Sequence, residues 1–141
     1  MKRLIPTILG LVLSATGISA QVAVIAHKSV PVDKIGKSQL LDLYTGDKSF
    51  WPGGKPAIVF DLKKQKSETR RVYYRFLGMS SSRIKSIWLK RMLSGDAEPP
   101  ESFASDEEML KQVASTPGAV GFVDQSKVNQ DIKVLVVIKK K

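Results

Sequence analysis

Four short apolar runs, at residues 22–26, 57–60, 119–123 and 132–138, recur along the chain with longer amphipathic segments between them. Each is rich in β-branched residues and too short for a buried helix, so each reads as a strand covered on both faces. Such strands alternating with helices specify an α/β fold, a mixed and mostly parallel sheet flanked by helices.

The segments between the runs carry helix signals. Ser38 can cap a short helix through Tyr44, with Gly46 as its stop. Ser67 opens a longer helix, in which Thr69, Val72, Tyr73, Phe76 and Leu77 share one face, and Gly78 ends it. A third helix begins among Ser80, Ser81 and Ser82. It buries Ile84, Ile87, Trp88 and Met92 and leaves Arg83, Lys85, Lys90 and Arg91 outside. Ser105 and Glu108 form a capping box for a fourth, with Met109, Leu110 and Val113 inward. Glu107 and Glu108 complement that helix's dipole. The stretches 61–66 and 95–102 read as loops, and Trp51-Pro52-Gly53-Gly54 as a turn.

The first twenty residues stand apart. Lys2 and Arg3 precede an uncharged, mostly apolar stretch, and Ser19 and Ala20 are small. That order is a secretory signal peptide with cleavage after Ala20. The apolar stretch is interrupted by Pro6, Gly10 and Gly17 and falls short of the roughly 20 residues a membrane span needs. The expected organisation is a signal peptide at 1–20 and one domain at 21–141, exported to the periplasm. Cleavage takes Lys2 and Arg3 from a net charge of +10 and leaves +8 on the mature domain.

Composition then excludes most chemistry. Without cysteine there is no disulfide, zinc–thiolate site or cysteine nucleophile, and one histidine cannot build a histidine metal cluster. No catalytic residues, no metal and no cofactor are expected. The positive charge would suggest nucleic acid in a cytosolic protein. In an exported one it points to small anions, to anionic envelope partners, or to a solvated surface.

The stretch from Ile58 to Arg70 is where an anion site can form. A strand ends, a polar loop follows, and a helix starts at Ser67. Ligands of open α/β sheets collect beyond the carboxyl ends of strands, and the unpaired N–H groups of a helix start attract anions. Ser67 and Thr69 add hydroxyls, Lys63 and Lys66 add charge, and Arg70 can present a bidentate fork. The alternative is that Ser67 only caps its own helix and the cations are solvated. His27 and Ser29 leave the first strand and are candidates for the same edge. Trp51 and Trp88 read as packing residues.

These residues resemble a known family. Leu40-Leu41-Asp42-Leu43-Tyr44-Thr45-Gly46 with the following Trp51, the Ser67-x-Thr69 helix start, and Pro117-Gly118-Ala119-Val120-Gly121-Phe122-Val123 are similar to segments of phosphate ABC transporter substrate-binding proteins. The similarity runs over most of residues 22–128 and is to short, single-lobe members of this type II periplasmic binding-protein fold. It implies a non-enzymatic solute-binding module, with phosphate or a similar oxyanion held by Ser67, Thr69, Arg70, Lys63 and Ser29. It also implies a membrane transporter as partner. The family loop Arg-x-Asp-Gly-Ser-Gly-Thr is altered here: Lys63 stands for the Arg, Gln65 for the Asp, and Lys66 and Glu68 for the glycines. Glycine lets backbone approach an anion and Glu68 repels one, so weak binding is expected. Two further expectations follow from a single lobe: a homodimer in which a second copy supplies the other lobe, or an interaction protein without ligand whose basic surface meets an anionic partner such as an outer-membrane porin.

Overall fold

The computed structural model describes residues 21–63 and 67–139. The signal-peptide expectation for residues 1–20, and the roles assigned to Gln65 and Lys66, lie outside the described residues. The elements are β1 (Gln21–Ala26), α1 (Lys37–Thr45), β2 (Ile58–Leu62), α2 (Glu68–Leu77), α3 (Ser81–Leu93), β3 (Glu101–Phe103), α4 (Asp106–Ser115), β4 (Ala119–Asp124) and β5 (Lys133–Lys139). A 3-10 turn at Gln125–Lys127 joins the last two strands.

The strands form one sheet in the order β3-β2-β4-β1-β5. β2 is parallel to β3 and to β4, whereas β1 is antiparallel to both of its neighbours, β4 and β5. Four strands therefore point one way and β1 alone points the other. Helices cover both faces. Gly121 abuts Met109 and Val113 of α4, while the adjacent Phe122 stacks on Tyr73 of α2 at 3.9 Å between ring centroids. Successive strand residues face opposite sides, so α4 and α2 lie on opposite faces of the sheet. Tyr44 of α1 meets Tyr73 edge-on at 5.0 Å and completes an aromatic cluster over β4.

The capping signals act where the sequence places them. Ser67, Ser80 and Ser105 accept from the backbone N–H groups of Arg70, Arg83 and Glu108 at 3.0, 3.1 and 3.1 Å. α1 differs: its N-cap is Gly36, whose N–H donates to the Gln39 side chain at 2.8 Å, and Ser38 falls inside the helix. β2 runs past residue 60 to include Asp61 and Leu62, because Asp61 is buried with its oxygens fully engaged rather than loop-exposed. β3 occupies part of the expected loop 95–102. It is a three-residue edge strand in which only Phe103 is buried, too short and polar to show a period. α3 buries Ile84 and Trp88, whereas Met92 is exposed. Arg91, expected outside, donates to the Thr45 carbonyl at 2.8 Å and pairs with Asp47 at 2.9 Å.

The segments that carry the family resemblance are joined to one another as structure. Gly46, in the left-handed region at φ +81°, lets α3 close on the end of α1, since a Cβ there would lie 2.9 Å from Arg91 Nε and 3.0 Å from Trp88. Trp88 Nε1 donates to the Tyr44 carbonyl at 2.8 Å and Tyr44 Oη to the Phe60 carbonyl at 2.7 Å. The buried Trp51 donates to the Gly118 carbonyl at 2.9 Å. A Cβ at Gly118 would sit 2.5 Å from the Pro56 carbonyl oxygen, so glycine is required there too.

Candidate functional site: the β2 end and the starts of α2 and α3

β2 ends at Leu62 and α2 begins at Glu68, so the carboxyl end of the strand and the amino end of the helix share one edge of the sheet. Asp61, buried near the strand end, is the electrostatic centre of this edge. Its Oδ1 accepts from the Leu62 N–H at 2.8 Å and from Arg70 Nε at 3.3 Å. Its Oδ2 accepts from Arg70 Nη2 at 3.2 Å and from Tyr74 Oη at 2.5 Å. The sequence places Arg70 and Tyr74 one turn apart on α2, so both reach the same carboxylate.

Arg70 also donates through Nη1 to Ser81 Oγ at 2.9 Å and through Nη2 to Tyr74 Oη at 3.1 Å. Its guanidinium carbon lies 4.3 Å from the Tyr74 ring centre, a cation–π contact. The pair is charge-balanced and mostly buried, and the guanidinium binds the start of α3 to β2. Burial, and then the Asp61 charge, push the Tyr74 hydroxyl well above its ordinary range, so it remains a donor at any neutral pH.

Two clefts meet at Arg70, Tyr74 and Ser81. One, of about 610 Å³, is lined further by Ser67, Arg71, Arg75 and Ser80. The other, of about 650 Å³, runs along α3 and is lined further by Lys63, Lys85, Trp88 and Pro100. Donors dominate this region: arginine and lysine side chains, the Ser81 hydroxyl, and the first N–H groups of α2 and α3. Glu68, paired with Arg71 at 3.0 Å, is the acid on the rim of the first cleft.

The expected site residues are thus only partly brought together. Ser67, Thr69 and Arg70 lie in the first turn of α2 or at its cap, and Lys63 lies just past β2 beside the second cleft. Ser67 serves as the helix cap, and Arg70 turns to Asp61. Ser29 and His27 are elsewhere. Because β1 runs antiparallel to β4, its exit lies beside the start of β4, at the other end of the sheet. There Ser29 Oγ accepts from the Gly118 N–H at 3.1 Å and lies 2.8 Å from His27 Nδ1. The length of β2, five residues, lies between Ser29 and the α2 start. The reading that Ser29 shares that edge is corrected by the direction of β1, which a continuous apolar run does not encode.

Sequence reasoning missed Asp61, Tyr74 and Ser81. The signal for Asp61 was an acid directly after a β-branched run, and for Tyr74 its four-residue spacing from Arg70. Among the described residues no cluster of three or more His, Cys, Asp or Glu is arranged to hold a metal ion. Nor is any helix among them long and apolar enough to cross a membrane.

No protein-family model matches the chain, and no curated protein matches it in sequence. Solved structures do match. A Clostridium perfringens protein, described as a phosphate ABC transporter substrate-binding protein and crystallised with phosphate, is 22% identical with a TM-score of 0.66, over 82% of this chain and 44% of its own. An ABC-type phosphate transport receptor from Vibrio cholerae is 20% identical with a TM-score of 0.64, over 82% and 45%. PstS from Borrelia burgdorferi is 11% identical with a TM-score of 0.57, over 95% and 65%. The chain spans less than half the length of the first two. It carries the mixed α/β fold of a lobe of the phosphate ABC transporter substrate-binding proteins.

Proposed function

We propose that residues 21–141 form an exported, non-enzymatic solute-binding module that takes phosphate or a similar oxyanion at the start of α2 and works beside a membrane transporter. The reading rests on one observation above others. In a fold shared with a protein crystallised with phosphate, the clefts at the β2 end are lined by Arg70, Arg71, Arg75, Ser67 and Ser81 beside two helix starts. Ser67, Thr69 and Arg70 supply the helix-start donors, and Lys63 approaches from β2. Arg70 is neutralised by Asp61, so its role is to hold donors in place, and Arg71 offsets the charge of Glu68, while Arg75 and Lys63 supply the net positive charge. The clefts are open to water and Glu68 stands on the rim, which makes binding weak and salt-sensitive.

Calorimetry of residues 21–141 at low salt with phosphate, and with sulfate as control, tests this. Saturable heat that Arg71→Ala weakens and Arg70→Ala abolishes, in variants that still unfold cooperatively, is the expected result. No heat with either anion overturns it.

A second reading draws on the same site. Every Arg70 donor group is engaged within the protein and Ser67 is consumed as a cap, the arrangement of a structural brace. On that reading the chain is an interaction protein whose +8 surface meets an anionic envelope partner such as a porin. A partner retained at low salt and released at high salt, with no small-anion heat, selects it.

A further inference from the structure

α3 presents more apolar surface than its packing uses. Ile84 and Trp88 turn inward, but Leu89, Met92 and Leu93 are 47%, 45% and 78% exposed. Their i, i+3, i+4 spacing puts them on one stripe at the end of the helix. Leu89 and Met92 also line the groove walled on its far side by Pro99 and Pro100.

Lys85, one turn before Leu89, continues the same line. α3 contains Arg83, Lys85, Lys90 and Arg91 and no acid. Arg91 is paired with Asp47, whereas Arg83, Lys85 and Lys90 make none of the ion pairs found among the described residues. Acids begin just beyond the helix, where Asp96, Glu98 and Glu101 are all exposed. Along this face the surface is basic, then apolar, then acidic.

Such an order is complementary to itself when reversed. Two copies of α3 laid antiparallel, with Leu89 of one copy opposite Met92 of the other, set Lys85, one turn before Leu89 on the same stripe, opposite Asp96. The helix ends at Leu93, so the acids reach across from the following loop. A parallel arrangement would set like charges together. An anionic lipid surface would accept the cations and the apolar stripe but would repel Asp96, Glu98 and Glu101.

We infer that the chain pairs with a second copy of itself across α3, in a two-fold contact centred on Leu89, Met92 and Leu93. Each copy then stands at the mouth of the other's groove. The stripe is small against the roughly 800 Å² per partner of a standard interface, so the association is weak and reversible. This pairing does not rest on the anion reading, and either can fail alone.

Sedimentation equilibrium of residues 21–141 over a wide concentration range tests it. The expected result is a reversible dimer whose dissociation constant rises at least about tenfold in Leu89→Asp/Leu93→Asp, since fully covered apolar anchors dominate such contacts. Lys85→Asp weakens the dimer, and Lys85→Asp/Asp96→Lys restores it. Circular dichroism melts of each variant separate lost pairing from lost folding, and the charge exchange remains informative if the leucine variant unfolds. A chain that stays monomeric at the highest concentration reached overturns the proposal. So does a dimer unaffected by both sets of changes. A monomer that floats with anionic vesicles through Leu93 also overturns it and assigns the face to lipid.

Discussion

The two ends of the sheet are held by different chemistry. At the start of β4, neutral side chains tie distant backbone together: Trp51 donates to the Gly118 carbonyl and Ser29 accepts from the Gly118 N–H. At the end of β2, a buried charge pair does the tying, with Asp61 held by Arg70 and Tyr74 and Arg70 braced on Ser81. The first end contains residues that carry the family resemblance and is closely packed. The second contains the positions that depart from the family loop, and it opens into the larger clefts, lined by arginine and lysine; the cleft beside Trp51 is smaller, at about 220 Å³. The Trp51 and Gly118 segments that help to identify the fold therefore stand at the other end of the sheet from the residues that would meet a ligand, although Ser67 and Thr69 belong to both sets.

The largest effect is expected at the neutral end. Trp51→Ala removes a buried indole and its bond to Gly118, and costs about 4 kcal/mol in urea unfolding. The folded fraction should bind anions unchanged. A loss of binding in protein that is still folded would break the separation of the two ends.

Asp61→Ala comes next, at about 3 kcal/mol, because it leaves a guanidinium only 15% exposed without its partner. Asp61→Ala/Arg70→Met should recover most of that loss, since removing both charges also removes the unpaired one. Failure to recover would mean that the carboxylate is needed for its bonds to Leu62 and Tyr74 rather than for its charge.

Alkaline titration isolates one member of the charged end. The folded Tyr74 hydroxyl holds its proton more tightly than the unfolded one, whose ordinary value is near 10. Its contribution is complete below that value. As pH rises above it, only the unfolded state releases the proton, and stability falls by about 1.4 kcal/mol per pH unit. Tyr44 and Tyr73, raised by burial in the core, add to the same slope. Thermal melts between pH 9 and 11 should show Tyr74→Phe losing less stability per pH unit than the parent.

The smallest pair compares the ends directly. Ser67→Ala removes the α2 cap and Ser29→Ala a bond to Gly118, each at a cost of about 1 kcal/mol. Only Ser67→Ala should change the heat of anion binding. Equal effects of both would place the ligand elsewhere.

Much of this molecule is legible in its sequence because the signals are local. Ser67, Ser80 and Ser105 cap their helices through bonds that span three residues, and Met109 and Val113 face inward through a period of one turn. Where the reading failed, the deciding contact was remote. Asp61 looks like the first residue of a polar loop until Arg70 and Tyr74 arrive from α2. Arg91 looks solvated until the end of α1 presents a carbonyl to it. Met92 has the spacing of a core residue, yet no other element among the described residues covers it and it stays 45% exposed.

By itself the sequence determined the alternation of strands and helices, most of the caps, the aromatic core positions and the absence of cysteine chemistry. Each follows from side-chain periodicity or composition over a few residues. Only the tertiary structure decided that β1 runs against its neighbours, that Ser29 and His27 therefore stand at the far end from Ser67, and that Arg70 faces a carboxylate before it faces any ligand. A buried strand carries the same apolar run in either direction, and a cation carries the same charge whatever it meets. Direction and pairing are fixed only when elements far apart in the chain pack together.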